Sequence, residues 1–293
     1  MNHDPKDNPV IMQLHRRGSV RNFEERRIPD DIMRAVLEAG IHAPTGGNLQ
    51  PYSIIKIENE DAKNKLGELA KGMKFLSRAP VNLLLCLDMH RLKRWAELEV
   101  APFTATDSFR SFWISYQDAI IAAQNICTAA DALGLGSVYI GMVLECFPEI
   151  IEMFKLPQGV FPVVLVAMGY PKKQPRVTNK LGLDVIVHDE KYREIGDDEL
   201  LDAFHEKYEG KTRVMTEERI RDIYQVCLEA HGEEFAGKCE ERIRRDGCIS
   251  LAQLYFGLHY KANETTKGNA TYLDLMERQG FGWLRERPRT KSR

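Results

Sequence analysis

Arg17-Gly18-Ser19-Val20-Arg21-Asn22-Phe23 opens the informative part of this chain, and Ala43-Pro44-Thr45-Gly46-Gly47-Asn48-Leu49-Gln50-Pro51 follows about twenty residues later. The first stretch offers two guanidinium forks and a hydroxyl. Arg presents planar donors that match phosphate oxygens in pairs, and Ser adds a neutral donor. Arg17, Ser19 and Arg21 alternate, so in an extended segment their side chains emerge on one side. Alone, Arg-x-Ser-x-Arg reads equally well as solvated charge at the start of a surface segment. The second stretch tips the balance. Gly46 and Gly47 let backbone approach a ligand closely, Asn48 and Gln50 each donate and accept, and Pro44 and Pro51 stiffen the ends. Together they read as the site of an anionic cofactor rich in hydrogen-bonding groups.

Composition bounds the class without naming it. The 293 residues are 43% hydrophobic and 29% charged, ordinary for a globular chain of one large or two medium domains. A net charge of −2 gives no global basic field, so nucleic acid is not an expected partner. Met1 to Asp7 is polar, without the apolar core of a signal peptide, and no apolar run approaches the roughly 18–20 residues that span a bilayer. A cytoplasmic protein with no membrane association is expected. The six cysteines, Cys86, Cys127, Cys146, Cys227, Cys239 and Cys248, form no Cys-x-x-Cys pair and no short Cys/His spacing. No metal site is expected, and the cysteines read as small core hydrophobes.

Period and punctuation give a coarse architecture. Pro29-Asp30-Asp31 opens a helix whose Ile32, Ala35, Val36 and Ala39 form an apolar stripe, with Gly40 as its stop. Ser53 to Ile57 reads as a strand, 60 to 71 as an exposed helix, and Val81 to Leu87 as a central strand apolar on both faces. From Tyr116 to Leu133 apolar residues cover more than one helical face, which predicts burial nearly all round. Val163 to Met168 completes the sheet. Residues 90 to 115 hold five aromatics with little period, and read equally as a binding excursion or an ordinary loop with aromatic anchors. Beyond Gly196 there is no strand-like run. Thr216 caps one amphipathic helix, and Ser250 with Gln253 forms a capping box before another.

On these motifs the chain resembles the nitroreductase family, FMN-dependent NAD(P)H oxidoreductases. Arg17 to Phe23 is similar to its Arg-x-Ser-x-Arg-x-Phe. Ala43 to Tyr52 is similar to its Ala-Pro-Ser-x-x-Asn-x-Gln-Pro-Trp, with Thr45 standing for Ser and Tyr52 for Trp. Gly134 to Gly141 looks like the segment whose backbone faces the flavin. Val163 to Pro171, followed by Arg176 and Lys180, looks like its last core strand and basic tail. The resemblance covers roughly residues 9 to 190.

It implies an α+β fold: a mixed sheet flanked by helices in a core of residues 1–195, followed here by a helical extension, 196–293, that the minimal family core lacks. It implies FMN, held at the phosphate and neighbouring polar edge by Arg17, Ser19 and Arg21. Asn48 and Gln50 would lie along the ribityl chain or ring edge, Pro44, Thr45 and Gly47 would also bind the cofactor, and the backbone of Tyr139, Ile140 and Gly141 would lie near the reactive ring nitrogen. Arg176 or Lys180 would close the phosphate end, where Lys180-Leu181-Gly182-Leu183-Asp184 departs from the family's usual tail. Lys71, Lys74 and Arg78 lie where a cation could meet the pyrimidine edge, Lys74 being the one assigned, though each reads equally as a solvated charge. No protein residue is expected to be catalytic, because the flavin carries the redox chemistry.

The implied activity is transfer of electrons from NADH or NADPH to a small, flat acceptor, a nitroaromatic or quinone, by ping-pong alternation in a homodimer with FMN near the subunit interface. The same fold supports reductive dehalogenation and flavin fragmentation. A non-catalytic flavin-binding redox sensor is the reading from a different class. The extension reads as either a lid that narrows access to the flavin or a packed appendage.

Overall fold

The computed structural model describes residues 4–70, 72–211 and 213–283. Helices α1 (Pro9–Arg16) and α2 (Asp30–Ile41) precede strand β1 (Tyr52–Ile57). Helices α3 (Glu60–Leu69) and α4 (Phe75–Arg78) lead to β2 (Val81–Asp88), and α5 (Met89–Leu98) and α6 (Phe109–Ala132) to β3 (Gly136–Ile140). After α7 (Phe147–Phe154) comes β4 (Val160–Gly169). The strands form one sheet in the order β1-β2-β4-β3. Every pairing in it is antiparallel, so the sheet is not mixed as expected; each strand reverses against its neighbour instead of returning through a parallel crossover. The α+β class stands.

The core follows from residue chemistry. β2 and β4 occupy the middle of the sheet and are buried along their whole lengths, as their mostly apolar runs dictate. One face packs on α2 and α6 through Met33, Val36, Ala122, Ala123 and Ile126, and the other buries Leu66, Leu76, Leu84, Ile150 and Leu165. Gly40 does not stop α2, which runs on to Ile41. It is a contact glycine: a β-carbon there would sit 2.5 Å from Ile126 Cγ1 on α6. Gly40→Val is therefore expected to lower stability by about 1–3 kcal/mol through overpacking, measured by urea unfolding. A loss indistinguishable from zero would contradict the close packing of α2 on α6.

Helix α6 differs from expectation at both ends of the argument. It begins at Phe109, so the aromatic stretch before residue 116 is partly its first two turns, with Ser108 capping it and Phe112 in the core. It is also not buried all round, since Ile121 is 40% exposed and Trp113 53%. Its small residues Ala119, Ala122, Ala123 and Ala130 are buried in the core shared with α2 and the sheet and let the helix approach closely.

The chain divides into two compact units, Met1–Val177 with Thr271–Arg293, and Thr178–Ala270. The boundary expected between residues 195 and 196 thus falls earlier, and the extension does not run to the C-terminus. The reason lies in Phe281, which is 1% exposed among the rings of Phe112 and Phe161, at 5.4 and 6.1 Å. Gln279 secures the same segment by donating to the carbonyls of Leu156, Pro157 and Val160. The ring of Trp283 lies 5.2 Å from that of Phe112. Residues 284–293 lie outside the described residues.

The second unit holds α8 (Leu183–Ile186), α9 (Asp197–Lys207), α10 (Glu217–His231), α11 (Glu233–Asp246) and α12 (Leu251–Leu254). Helix α13 (Asn269–Arg278) leads out of it. Thr216 and the Ser250–Gln253 box cap as expected. Two strands appear where none was expected, β5 (Arg213–Val214) and β6 (Cys248–Ile249), each too short to show as a run in sequence. The unit has its own apolar centre, including Ile220, Ile223, Ala236, Ile243 and Ile249. Among the described residues no helix is long and apolar enough to cross a membrane.

Candidate functional site

The first motif forms an extended segment beside β3. Val20 N–H donates to Ser137 O at 3.0 Å, and Phe23 bridges Pro171, so the segment lies along the edge of β3 that β4 leaves open. Val20 and Phe23 are buried, while Ser19 and Arg21 face solvent. Gly136 makes the approach possible, because a β-carbon there would lie 2.4 Å from Val20 Cγ2. Arg176 comes to the same place: a β-carbon on Gly18 would meet Pro175 Cβ at 2.7 Å and Arg176 O at 2.9 Å. The segment carrying Arg17, Ser19 and Arg21 thus lies beside β3, with the backbone of Arg176 against Gly18.

Arg17 is the distinctive member. Its guanidinium lies 5.7 Å from the ring centre of Tyr139, and Nε is 3.8 Å from Asp131 Oδ2 on α6. Nε and Nη2 are nevertheless buried without a hydrogen-bond partner. A cleft of about 370 Å³, lined by Gln13, Arg16, Arg17, Asp131, Gly134 and Gln174 among others, opens beside it. Donors shielded from solvent without an acceptor carry a free-energy cost that an anion in contact would remove. Burial raises the Asp131 carboxyl above the usual carboxylate range, and Arg17 pulls it back down.

The second motif is a tight loop over the start of β1. Gly47, Asn48 and Gln50 all take left-handed backbone, at φ of 61°, 56° and 49°. For Asn48 and Gln50 this is a strained choice that surrounding contacts must impose. Gly46 N–H donates to both oxygens of Asp118 on α6, at 3.2 and 3.3 Å. Gln50 N–H donates to Thr45 Oγ1, and its side-chain amide donates to Ile41 O. Pro44, Gly47 and Asn48 are exposed on the loop's outer side.

The 134–141 segment is β3 with its entry turn. Ile140 is buried in the core, so only its backbone can face a ligand, whereas Gly141 is exposed at the strand end. The Tyr139 hydroxyl donates to Gln124 Oε1 on α6 at 3.3 Å. Lys74 is exposed just before α4, Lys180 belongs to the second unit, and Lys71 lies outside the described residues.

Sequence reading missed Asp118 and Asp131, the two acids of α6. Their signal was present: an acid in an otherwise apolar helix must be held by something. Asp118 is 4% exposed, and burial raises its carboxyl above the usual range while the Gly46 N–H lowers it. An acid whose folded pKa is raised binds its proton more tightly in the folded state. Its ionisation therefore costs stability as pH climbs from the unfolded value through the raised folded one. Asp118→Asn keeps an acceptor for Gly46 and removes that loss, so its stability relative to the parent is expected to improve from pH 3 to pH 7, read from urea midpoints. A pH-independent difference would show that Asp118 is not buried as a charge.

The cysteines are free, and four of the six are buried. Burial pushes the Cys86 thiol up to about 12.

Residues 14–170 match the nitroreductase family, more than half of the chain. A Bacillus subtilis (strain 168) protein named as an NAD(P)H FMN reductase is 32% identical over 194 residues, which cover 66% of this chain and 77% of the relative. The oxygen-insensitive NADPH nitroreductase of Salmonella typhimurium is 28% identical over 199 residues, 68% of this chain and 80% of its own. The solved structure of B. megaterium NfrA2 superposes with a TM-score of 0.71 at 26% identity, covering 94% of this chain and 98% of its own, so the likeness reaches well beyond residue 170. With its arginine-bearing strand laid against β3 and its left-handed loop pinned to α6, this chain belongs to the nitroreductase family.

Proposed function

We propose that this protein is an FMN-dependent oxidoreductase that takes electrons from NADH or NADPH and passes them, by ping-pong alternation, to a small flat acceptor such as a nitroaromatic or quinone. The observation that carries this is Arg17, partly buried beside β3, whose Nε and Nη2 are shielded from solvent and make no hydrogen bond. Arg17, Ser19, Arg21 and Arg176 supply the donors that a flavin phosphate needs. Exposed amide and backbone groups between Pro44 and Leu49, with Gln50, suit the ribityl chain or ring edge, and the Tyr139–Gly141 backbone lies at the end of β3. Lys74 is assigned to the pyrimidine edge. Bound FMN would accept and deliver hydride or electrons, while these side chains hold and orient it. The relatives' names, an FMN reductase and an NADPH nitroreductase, support the same chemistry.

A homodimer is part of the reading. Helix α1 buries none of its residues, and Val10, Ile11 and Leu14 are exposed beside the exposed Ile121 and Leu133 of the α6 region. Gln13 ties α1 to α6 through Thr128 O. Paired with a second copy, these apolar side chains would leave water; the dimer and its place in the cytoplasm are part of the proposal.

The test is anaerobic stopped-flow reduction of the FMN-loaded protein by each nicotinamide, then reoxidation by a panel of acceptors, with sedimentation for the dimer. Bleaching by a nicotinamide followed by acceptor-dependent recovery is expected. Protein that binds no FMN, or flavin that no nicotinamide bleaches, would overturn the reading.

A further inference from the structure

We propose that Asp88 and Arg91 form a clamp that imposes the left-handed conformation of the flavin-side loop, making Arg91 a positioning residue for the cofactor. The inference rests on the reading above that residues 44–50 meet FMN. Three consecutive carbonyls at the loop's exit are gripped. Arg91 Nη2 donates to Gln50 O at 2.8 Å and to Tyr52 O at 2.6 Å, and Asp88 N–H donates to Pro51 O at 2.8 Å between them.

The clamp is itself braced. Asp88 caps α5 by accepting from Arg91 N–H at 2.9 Å, and its other oxygen accepts from Ser53 Oγ at 2.5 Å. Arg91 Nη1 donates to the same Ser53 hydroxyl at 3.1 Å and lies 3.5 Å from Asp88 Oδ2. Asp88 is 6% exposed and sits at the end of β2 opposite the start of β1, so the brace stands on the rigid centre of the sheet. Gln50 needs it. Its φ of +49° disfavours any residue with a β-carbon, and Pro51 has no N–H with which to brace the turn. The planar fork of Arg reaches two carbonyls with one nitrogen while holding a hydroxyl with the other, which an ammonium cannot reproduce.

The test compares Arg91→Met, which keeps the stem and removes the donors, with Arg91→Lys and with Phe281→Leu as a control destabilised elsewhere in the same unit. Two readouts are taken on the full chain: amide hydrogen exchange of residues 45–52 without FMN, and FMN affinity with the visible circular dichroism of the bound flavin. Arg91→Met is expected to exchange faster in that loop, to bind FMN about tenfold to a hundredfold more weakly, and to show an altered flavin dichroism. Arg91→Lys should recover part of each, and Phe281→Leu should change none of the three. Loop exchange, affinity and dichroism at parent values in Arg91→Met would overturn the clamp. Equal changes in Phe281→Leu would also overturn it, by showing general destabilisation. Faster loop exchange in Arg91→Met together with no FMN binding by the parent chain would instead uphold the clamp and sink the functional reading.

Discussion

Arg17→Ala is expected to yield colourless protein whose affinity for FMN is lower by about tenfold to a hundredfold. Charge-assisted hydrogen bonds contribute about 1.5–3 kcal/mol each, and every 1.4 kcal/mol is tenfold in affinity. Arg17 has two donors idle in the folded chain, so on the proposed reading a flavin phosphate would gain contacts there without breaking others. When FMN is supplied in excess, kcat should return close to the parent value if, as proposed, the side chain holds the cofactor and takes no part in the chemistry. The substitution has a second consequence. Asp131 loses the cation that lowers its raised pKa, leaving a half-buried carboxylate uncompensated. Arg17→Ala/Asp131→Asn should therefore recover stability without recovering FMN affinity. Flavin titration and urea unfolding on the two variants separate the effects. A kcat that stays low at saturating FMN would assign Arg17 to chemistry instead of binding.

Phe281→Ala carries the largest expected stability loss, about 3–5 kcal/mol, the range for emptying a buried aromatic site. Its ring is enclosed by Phe112 of α6 and Phe161 of β4, so the cavity would open in the core beneath the site-bearing helix and not at a fraying end. Unfolding can be followed by Trp283, whose ring is 5.2 Å from that of Phe112. Phe256→Ala, at a ring 63% exposed in the helical unit, should cost far less. A Phe281→Ala loss below about 1 kcal/mol would mean that the C-terminal segment does not anchor the core.

How much of this was legible beforehand depends on the range of the interaction involved. Val81 to Leu87 read as a central strand because its apolar residues fall on both faces without polar alternation, and β2 is that strand, buried at every position. Thr216 and the Ser250–Gln253 box were readable because capping is decided within four residues. Gly40 was misread because its constraint is not the local backbone but Ile126, more than eighty residues away. The two-residue strands β5 and β6 had no signal, since a strand that short has no period.

The sequence by itself determined the family, the α+β class, and which segments carry donors for an anionic cofactor, because those properties reside in residue types at fixed short spacings. Tertiary structure alone decided how the donors are deployed. It showed that α6 serves both motifs, with Asp118 fixing the loop and Asp131 facing Arg17, and that Arg91 grips the loop from beyond β2. It also brought the C-terminal Phe281 into the first unit. Each of these is a contact between groups far apart in the chain, and only the packing of helices on an antiparallel sheet brings such groups within hydrogen-bonding or van der Waals reach.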